Sequence, residues 1–443
     1  MNRNKLPEEW KVLKFKDCIV QLSTGLNPRK NFSLGHGSIR YITAKNLIGR
    51  GEIDFSTSDY IDAEAKKIIN KRSKIKTGDV LFSSRAPIGQ TYLISTEPSY
   101  FDIGESIFSI RANKEVITPE YLCLYLSSDY FVKSASKHVT GSVIQEIRIG
   151  NLMETEIVVP PIEMQIRIAE CINSIDYKIQ LNNRINKKLE SMSKTIYDYW
   201  FLQFEFPNEN GKPYKSSGGK MVWNDELKQE IPEGWNCGNI ASLISDEKSG
   251  DWGKETLTGN YSENVYCIRG ADFPASTGHK DMNAPERWIL EKNKWKELDY
   301  GDILIEISGG SPTQSTGRVC YINNNYLQRF NKPVITSNFC RALSLKTPEY
   351  YSWFYLMWKT LYENDLFFNY ESKTTGLKNL LFDTAVNDIK IPLPEKQILN
   401  EFAKKINPFY ENIQFCCRQN KELANLRDFL LPMLMNGQVT FKA

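Results

Sequence analysis

The 443-residue sequence is poor in the groups on which most catalytic sites are built. It has three histidines (His36, His138, His279), and its nine cysteines form no C-x-x-C pair and no cluster with histidine. That excludes a zinc site by spacing and points to reduced, structural thiols. No G-x-G-x-x-G and no G-x-x-x-x-G-K-[ST] loop occurs, so the dinucleotide and P-loop fingerprints are absent. An adenine methyltransferase needs an Asn/Asp-Pro-Pro-aromatic loop, which Val159-Pro160-Pro161-Ile162 does not match. No run approaches 18 apolar residues, and the opening Met1 to Pro7 lacks an apolar signal core. The expectation is a soluble cytoplasmic protein with no membrane partner. The net charge of +3 is also small. A DNA reader of this composition must gather its basic residues on one face.

Two weaker patterns bear on catalysis. Asp365…Glu371-Ser372-Lys373 fits the acid…E-x-K spacing of metal-dependent nucleases. Its first-copy counterpart to Glu371 is Ser136, and E-x-K is common by chance, so surface charge is the better reading. His138 has no nearby Cys, Ser or carboxylate set and reads as a loop residue or a phosphate contact.

What the sequence does contain is length, order and repetition. From Pro161 to about Phe201 apolar residues recur at helical spacing, with Ile168, Ile172, Ile175 and Ile179 stepping by four, three and four. The seam continues through Asn182, Asn186, Leu189, Met192, Ile196 and Tyr199, which predicts one long helix with a coiled-coil face. A second copy closes the chain. Pro392-Leu-Pro394-Glu395-Lys-Gln397 answers Pro160-Pro161-Ile-Glu163-Met-Gln165, and the seam pairs are Ile172/Ile406, Ile175/Phe409, Ile179/Ile413, Asn186/Asn420, Met192/Leu426 and Ile196/Leu430. Seam asparagines cost stability but fix register.

The segments before each helix also repeat. Leu6-Pro7-Glu8-Glu9-Trp10 faces Ile231-Pro232-Glu233-Gly234-Trp235, Tyr41–Leu47 faces Cys267–Phe273, and Thr77–Phe82 faces Tyr300–Ile305. The expected fold is α+β: two globular domains (1–159 and 231–391) and two long antiparallel helices (160–230 with its linker, and 392–443), related by an internal pseudo-twofold repeat. The loops differ where the frame is kept. Ser83-Ser84-Arg85-Ala86-Pro87-Ile88-Gly89 becomes a longer run, Ser308 to Arg318, containing Ser311 and Gln314. Small residues admit a close partner, and Arg or Gln can fork onto base edges. Lys137-His138-Val139-Thr140-Gly141-Ser142 and Lys373-Thr374-Thr375-Gly376 offer cations and hydroxyls suited to phosphates, or to helix caps.

This layout resembles the specificity subunit of type I restriction–modification enzymes over essentially the whole chain. The carrying residues are the two Pro-Glu-x-Trp openings, the two proline–glutamate helix starts, and Trp200-Phe201-Leu-Gln-Phe-Glu-Phe-Pro207…Gly211-Lys-Pro-Tyr214…Ser216-Ser-Gly-Gly219. The resemblance implies two target-recognition domains, each reading half of a split, asymmetric double-stranded DNA site. It implies helices that set the gap and dock two methyltransferase (M) subunits, with restriction (R) subunits added for cleavage. The chain itself would be non-catalytic and without cofactor; S-adenosylmethionine, magnesium and ATP would bind the partners, which supply adenine-N6 methylation and ATP-dependent cleavage. The candidate DNA contacts are Lys45, Asn46, Ser84, Arg85, Lys137, His138, Thr140, Ser142, Arg269, Ser308, Ser311, Gln314, Lys373, Thr374 and Thr375. The competing readings are a single-chain nuclease or methyltransferase with fused recognition domains, and a scaffold that binds no nucleic acid.

Overall fold

Strand order repeats before anything else does. The computed structural model describes residues 6–136, 146–309, 313–374 and 377–441, and the chain forms two compact units, Met1–Tyr177 with Leu423–Ala443, and Lys178–Glu422. In the first unit a four-stranded antiparallel sheet has the order Ile19–Thr24, Ile107–Ala112, Asp79–Ser83, Thr91–Leu93. In the second the order is Ile244–Ser249, Cys340–Leu345, Ile303–Glu306, Val319–Tyr321. A three-stranded sheet accompanies each. Ile39–Ile42 lies between antiparallel Asp59–Ile61 and parallel Phe101–Ile103, as Tyr261–Ile268 lies between antiparallel Glu286–Leu290 and parallel Val334–Thr336. Lys11–Lys14 pairs with Glu156–Val159, and Asn236–Asn239 with Lys390–Leu393. Each unit is thus closed by pairing its entry strand with the strand that leads into a long helix.

The central strands are continuous apolar runs, Val80-Leu81-Phe82 and Ile303-Leu304-Ile305, and all six side chains are buried. Each run is launched by a Gly-Asp turn. Gly78 and Gly301 have φ of +88° and +95°, which glycine adopts without a Cβ clash. The aspartates that follow close the turn, Asp79 Oδ2 accepting from Lys76 N at 2.9 Å and Asp302 Oδ2 from Asp299 N at 2.9 Å. Their charge is met differently, by Arg111 in the first unit and Lys248 in the second.

One core carboxylate has no such cation. Asp102 is fully buried beside Tyr41, at the register position where the second unit places Ile335 beside Cys267. Its Oδ1 accepts from Ile103 N at 2.9 Å, while Oδ2 has no partner. Burial pushes its pKa up to about 7 from an ordinary 3.8, only partly opposed by the Ile103 amide and the Lys66 charge. The folded chain therefore holds this proton to about pH 7, whereas the unfolded chain releases it near pH 4, so stability falls as pH rises between those values. The full loss is worth roughly 4 kcal/mol. Asp102→Asn should melt several degrees above the parent chain at pH 8 and within a degree or two of it at pH 4. An equal difference at both pH values would remove Asp102 as the cause.

The first long helix is α-helical over Ile162–Tyr197 and ends in a π-helical turn, Asp198–Leu202. The second runs Lys396–Met435. They are antiparallel in both units. In the first, Ile168 and Ile172 share a core cluster with Leu431, Leu434 and Met435, and Asp176 meets Arg427. In the second, Asn182 Nδ2 donates to Asn420 Oδ1 at 2.8 Å, Asn186 Nδ2 lies 3.6 Å from Cys417 Sγ, and Tyr197 packs on Phe402. Asn182 and Asn186 are buried seam residues, and the Asn182–Asn420 bond fits one register alone.

Part of the seam differs from the apolar pattern. Met192 and Tyr199 are exposed, and Ser193 and Trp200 are buried in their place. On the second helix Tyr410 and Leu431 are buried, whereas Leu426 is exposed and Phe409 and Leu430 are half-buried. The steps continue by three and four through Ser193, whose hydroxyl donates to Leu189 O at 2.9 Å and so needs no water. The two helix starts also differ. Gln165 is fully buried, accepting from Thr118 N and donating to Val116 O and Pro160 O, whereas Gln397 is exposed and Leu399 fills the buried first turn.

The aromatic stretch after the first helix is core. Phe206 stacks between Tyr214 and Trp235 at 4.6 and 5.4 Å, and Phe201 meets Phe402 edge-on at 4.8 Å.

Candidate nucleic-acid interface

In the first unit the loop after Asp79–Ser83 is set by short-range bonds. Ser83 Oγ donates to Pro87 O at 2.6 Å and accepts from Gln90 N at 2.8 Å. Arg85 stands at the rim, about a third exposed. Its Nη1 donates to Glu105 at 2.8 Å and its Nη2 lies 3.3 Å from Glu146, while Nε is buried without a partner. Glu105 is also held by Asn27. Burial pushes its pKa up, but the Asn27 and Arg85 bonds outweigh this and leave it below the usual range. A base contact by Arg85 must share a guanidinium already engaged by two carboxylates.

In the second unit the matching loop is longer and braced at both ends. Arg318 Nε donates to Glu306 at 2.7 Å, with Glu306 almost fully buried. Glu371 accepts from Thr316 N at 2.7 Å and pairs with Lys378 at 3.2 Å. Glu371 is thus engaged in bracing the loop.

Two candidates are corrected. Asn46 is fully buried, its Oδ1 accepting from Thr43 N at 2.8 Å and its Nδ2 donating to Asp54 O and Thr57 Oγ1. Ser84 is also fully buried, with its hydroxyl donating to Ser106 O at 3.0 Å. Neither side chain can reach a duplex. Asn46 and its counterpart Asp272 do the same work, since Asp272 accepts from Arg269 N at 3.0 Å to cap its own turn. The spacing Thr43-x-x-Asn46 was the signal for this. Arg269 is forked onto Asp272 and donates to Asn283 O. Lys45 is exposed beside buried Asn46. Ser308 is buried, and the strand Ser308–Gly309 pairs with Leu377–Leu380. Gln314 is exposed, with its carbonyl accepting from Lys378. Lys373 and Thr374 belong to the strand Glu371–Thr374. Lys137, His138, Thr140, Ser142, Ser311 and Thr375 lie outside the described residues.

Two further clusters went unread in the sequence. Asp176 faces Arg50 and Arg427 in the first unit, and Glu190 faces His279 and Lys359 in the second. The first ties Arg50 of a recognition domain and Arg427 of the second long helix to an acid on the first long helix, and the second ties His279 and Lys359 to another.

A family model for the type I restriction modification DNA specificity domain matches residues 7–191 and again 257–425. The chain belongs to this family. Among similar relatives of the specificity family, the type I restriction enzyme MjaIX specificity subunit of Methanocaldococcus jannaschii is 27% identical, over 98% of this chain and 94% of its own. The HindI specificity subunit of Haemophilus influenzae is 23% identical, over 97% and 100%. The crystal structure of the type I restriction–modification S subunit from M. genitalium matches with a TM-score of 0.58 at 16% identity, covering 98% of both chains. At that identity the likeness speaks for the fold, and it matches the duplicated α+β frame of this specificity-family chain. Among the described residues no helix is long and apolar enough to cross a membrane.

Within this frame Arg85→Ala is expected to remove the guanidinium that Glu105 and Glu146 share. Binding to the first half-site should weaken by about 1–3 kcal/mol and relax one of its positions. The second half-site should keep its letters. Sequencing of methylated motifs reads both, and unchanged letters at unchanged occupancy would remove Arg85 from the interface.

Proposed function

We propose that the chain is the non-catalytic DNA-specificity subunit of a cytoplasmic type I restriction–modification complex, reading a bipartite, asymmetric duplex target. One recognition domain reads each half-site. Two methyltransferase subunits dock on the long helices, and restriction subunits join for cleavage; S-adenosylmethionine, magnesium and ATP belong to those partners. The observation that carries this reading is the repeat itself. Two units with one strand order carry loops of different length and chemistry at the same place, as expected of one frame given two sequences to read. Ile185, Met192 and Tyr199 support the docking role, being exposed at seven-residue steps on the first helix. The test is to express the chain with its methyltransferase and map methylated adenines genome-wide. A split motif with two unlike halves is expected. Methylation or cleavage by the purified chain alone would overturn the reading.

A further inference from the structure

The small net charge requires that any DNA-facing cations be gathered in one place, and the first unit has such a place. Five basic residues fall between Lys67 and Lys76, and within that stretch there is no acid. The helix Ala63–Asn70 ends there, and the chain then turns into the strand Asp79–Ser83. Ile69, Ser73 and Ile75 are buried, while Lys71, Arg72, Lys74 and Lys76 are exposed. The inward residues anchor the turn and the outward ones are all cationic.

The backbone that carries them is tied down on every side. Arg72 N and Ser73 N both donate to Ile69 O at 2.9 Å, Ser73 Oγ bonds Ser23 Oγ at 3.2 Å, and Arg111 Nη2 donates to Lys74 O at 3.3 Å. Lys76 N donates to Asp79, whose carboxylate is itself forked onto Arg111. Among the described residues no carboxylate forms an ion pair with Lys71, Arg72, Lys74 or Lys76. A cation at a helix C-terminus answers the helix dipole within its last turn, but Lys74 and Lys76 lie beyond that turn.

The second unit lacks this surface. The counterpart stretch before Asp302 carries three lysines, Lys292, Lys294 and Lys296, and three acids, Glu291, Glu297 and Asp299. There Lys294 pairs with Glu263 at 2.9 Å, and Lys248 with Asp299 at 2.9 Å and Asp302 at 3.0 Å. Charge has been balanced in one copy and left uncompensated in the other.

We propose that the turn Lys71–Lys76 is a sequence-independent phosphate-backbone clamp, peculiar to the first unit. This rests on the DNA-specificity reading and adds that the two units divide the work unequally. The first carries most of the electrostatic grip, and the second leans on contacts that do not release counterions. An acidic protein surface is the other partner a basic turn could fit. The duplex is favoured because four cations on a fixed backbone suit a regular row of phosphates.

The test uses the full chain assembled with its methyltransferase and a labelled target duplex, titrated between 50 and 200 mM salt. Lys71→Gln, Arg72→Gln, Lys74→Gln and Lys76→Gln are combined, with the four single variants beside them. Each phosphate contact contributes about 0.9 to the slope of log affinity against log salt. The combined variant should therefore lower the slope by roughly 2–4, the singles by up to about 0.9 each, and the methylated motif should keep its letters. Neutralising Lys292, Lys294 and Lys296 should change the slope far less. If the parent complex binds its target with a steep salt slope and the combined variant keeps that slope, the clamp is wrong and the DNA reading stands. Loss of assembly with the methyltransferase at an unchanged slope assigns the turn to a protein and also overturns the clamp. A parent complex with no preference for the mapped target would sink both.

Discussion

Four residues inserted after Tyr177 together with four after Glu422 should widen the gap in the DNA target by about two base pairs and leave both half-sites as they are. The chain passes from one unit to the other at these two places alone, and each lies inside a long helix. Four residues add about 6 Å to a helix, and duplex DNA rises 3.4 Å per base pair. Because the insertions fall at the unit boundaries, contacts inside each unit are kept, including Asn182–Asn420 on one side and Asp176–Arg427 on the other. An insertion near Glu190 would be a poor choice. The Glu190 side chain is only about a tenth exposed and is engaged by His279 at 2.7 Å and Lys359 at 3.2 Å, so the second unit would lose its seat. Inserting in one helix only should break pairing and lower stability without a clean new gap. Methylation mapping decides: the old gap with intact half-sites, or a changed half-site with the old gap, rules out the helices as the spacer.

The frame was legible because it is written in local signals. Gly78-Asp79 and Gly301-Asp302 mark turns whose backbone conformation restricts residue choice, and Val80-Leu81-Phe82 marks a strand buried on both faces. Seen twice in one chain, such signals reveal a duplication. The seam was legible through Asn182 and Asn186 and slips by one residue beyond Leu189. At Met192 and Ser193 the apolar residue faces solvent and the serine is buried, because a hydroxyl bonded to its own helix satisfies the seam and an exposed methionine costs little. Asn46 misleads for a related reason: the amide that could read adenine is the same amide that caps a turn. Arg50, Asp176 and Arg427 gave no sequence signal at all. They are far apart along the chain, and nothing local distinguishes a charge that will be buried from one that stays in water.

That last cluster carries the other large effect: Asp176→Leu should destabilise the first unit by about 3–5 kcal/mol. The Asp176 carboxylate is nearly buried, 3.0 Å from Arg427 Nη1 and 3.5 Å from Arg50 Nη1, with Arg50 Nε donating to Ser127 Oγ at 2.8 Å. Burial pulls the Arg50 pKa down, and the Asp176 charge only partly restores it. Removing the acid leaves two guanidiniums desolvated and repelling each other, the situation in which breaking a buried ion cluster is most costly. Apolar replacement of all three residues should cost much less than Asp176→Leu alone, because no charge is then stranded. Arg427→Met should accordingly relieve part of the Asp176→Leu loss. The second unit meets the same need at Glu190, where burial pushes the pKa up but the His279 bond and the Lys359 charge outweigh it. Urea unfolding of the four chains in this cycle gives the coupling. A loss under 1 kcal/mol for Asp176→Leu, or a double variant worse than the sum of its parts, would show that the recognition domain is held on its helix by apolar packing alone. With the predicted coupling, methylated motifs in the Asp176→Leu strain should keep the letters of both half-sites while occupancy falls, since Arg50 seats the domain and does not read the duplex.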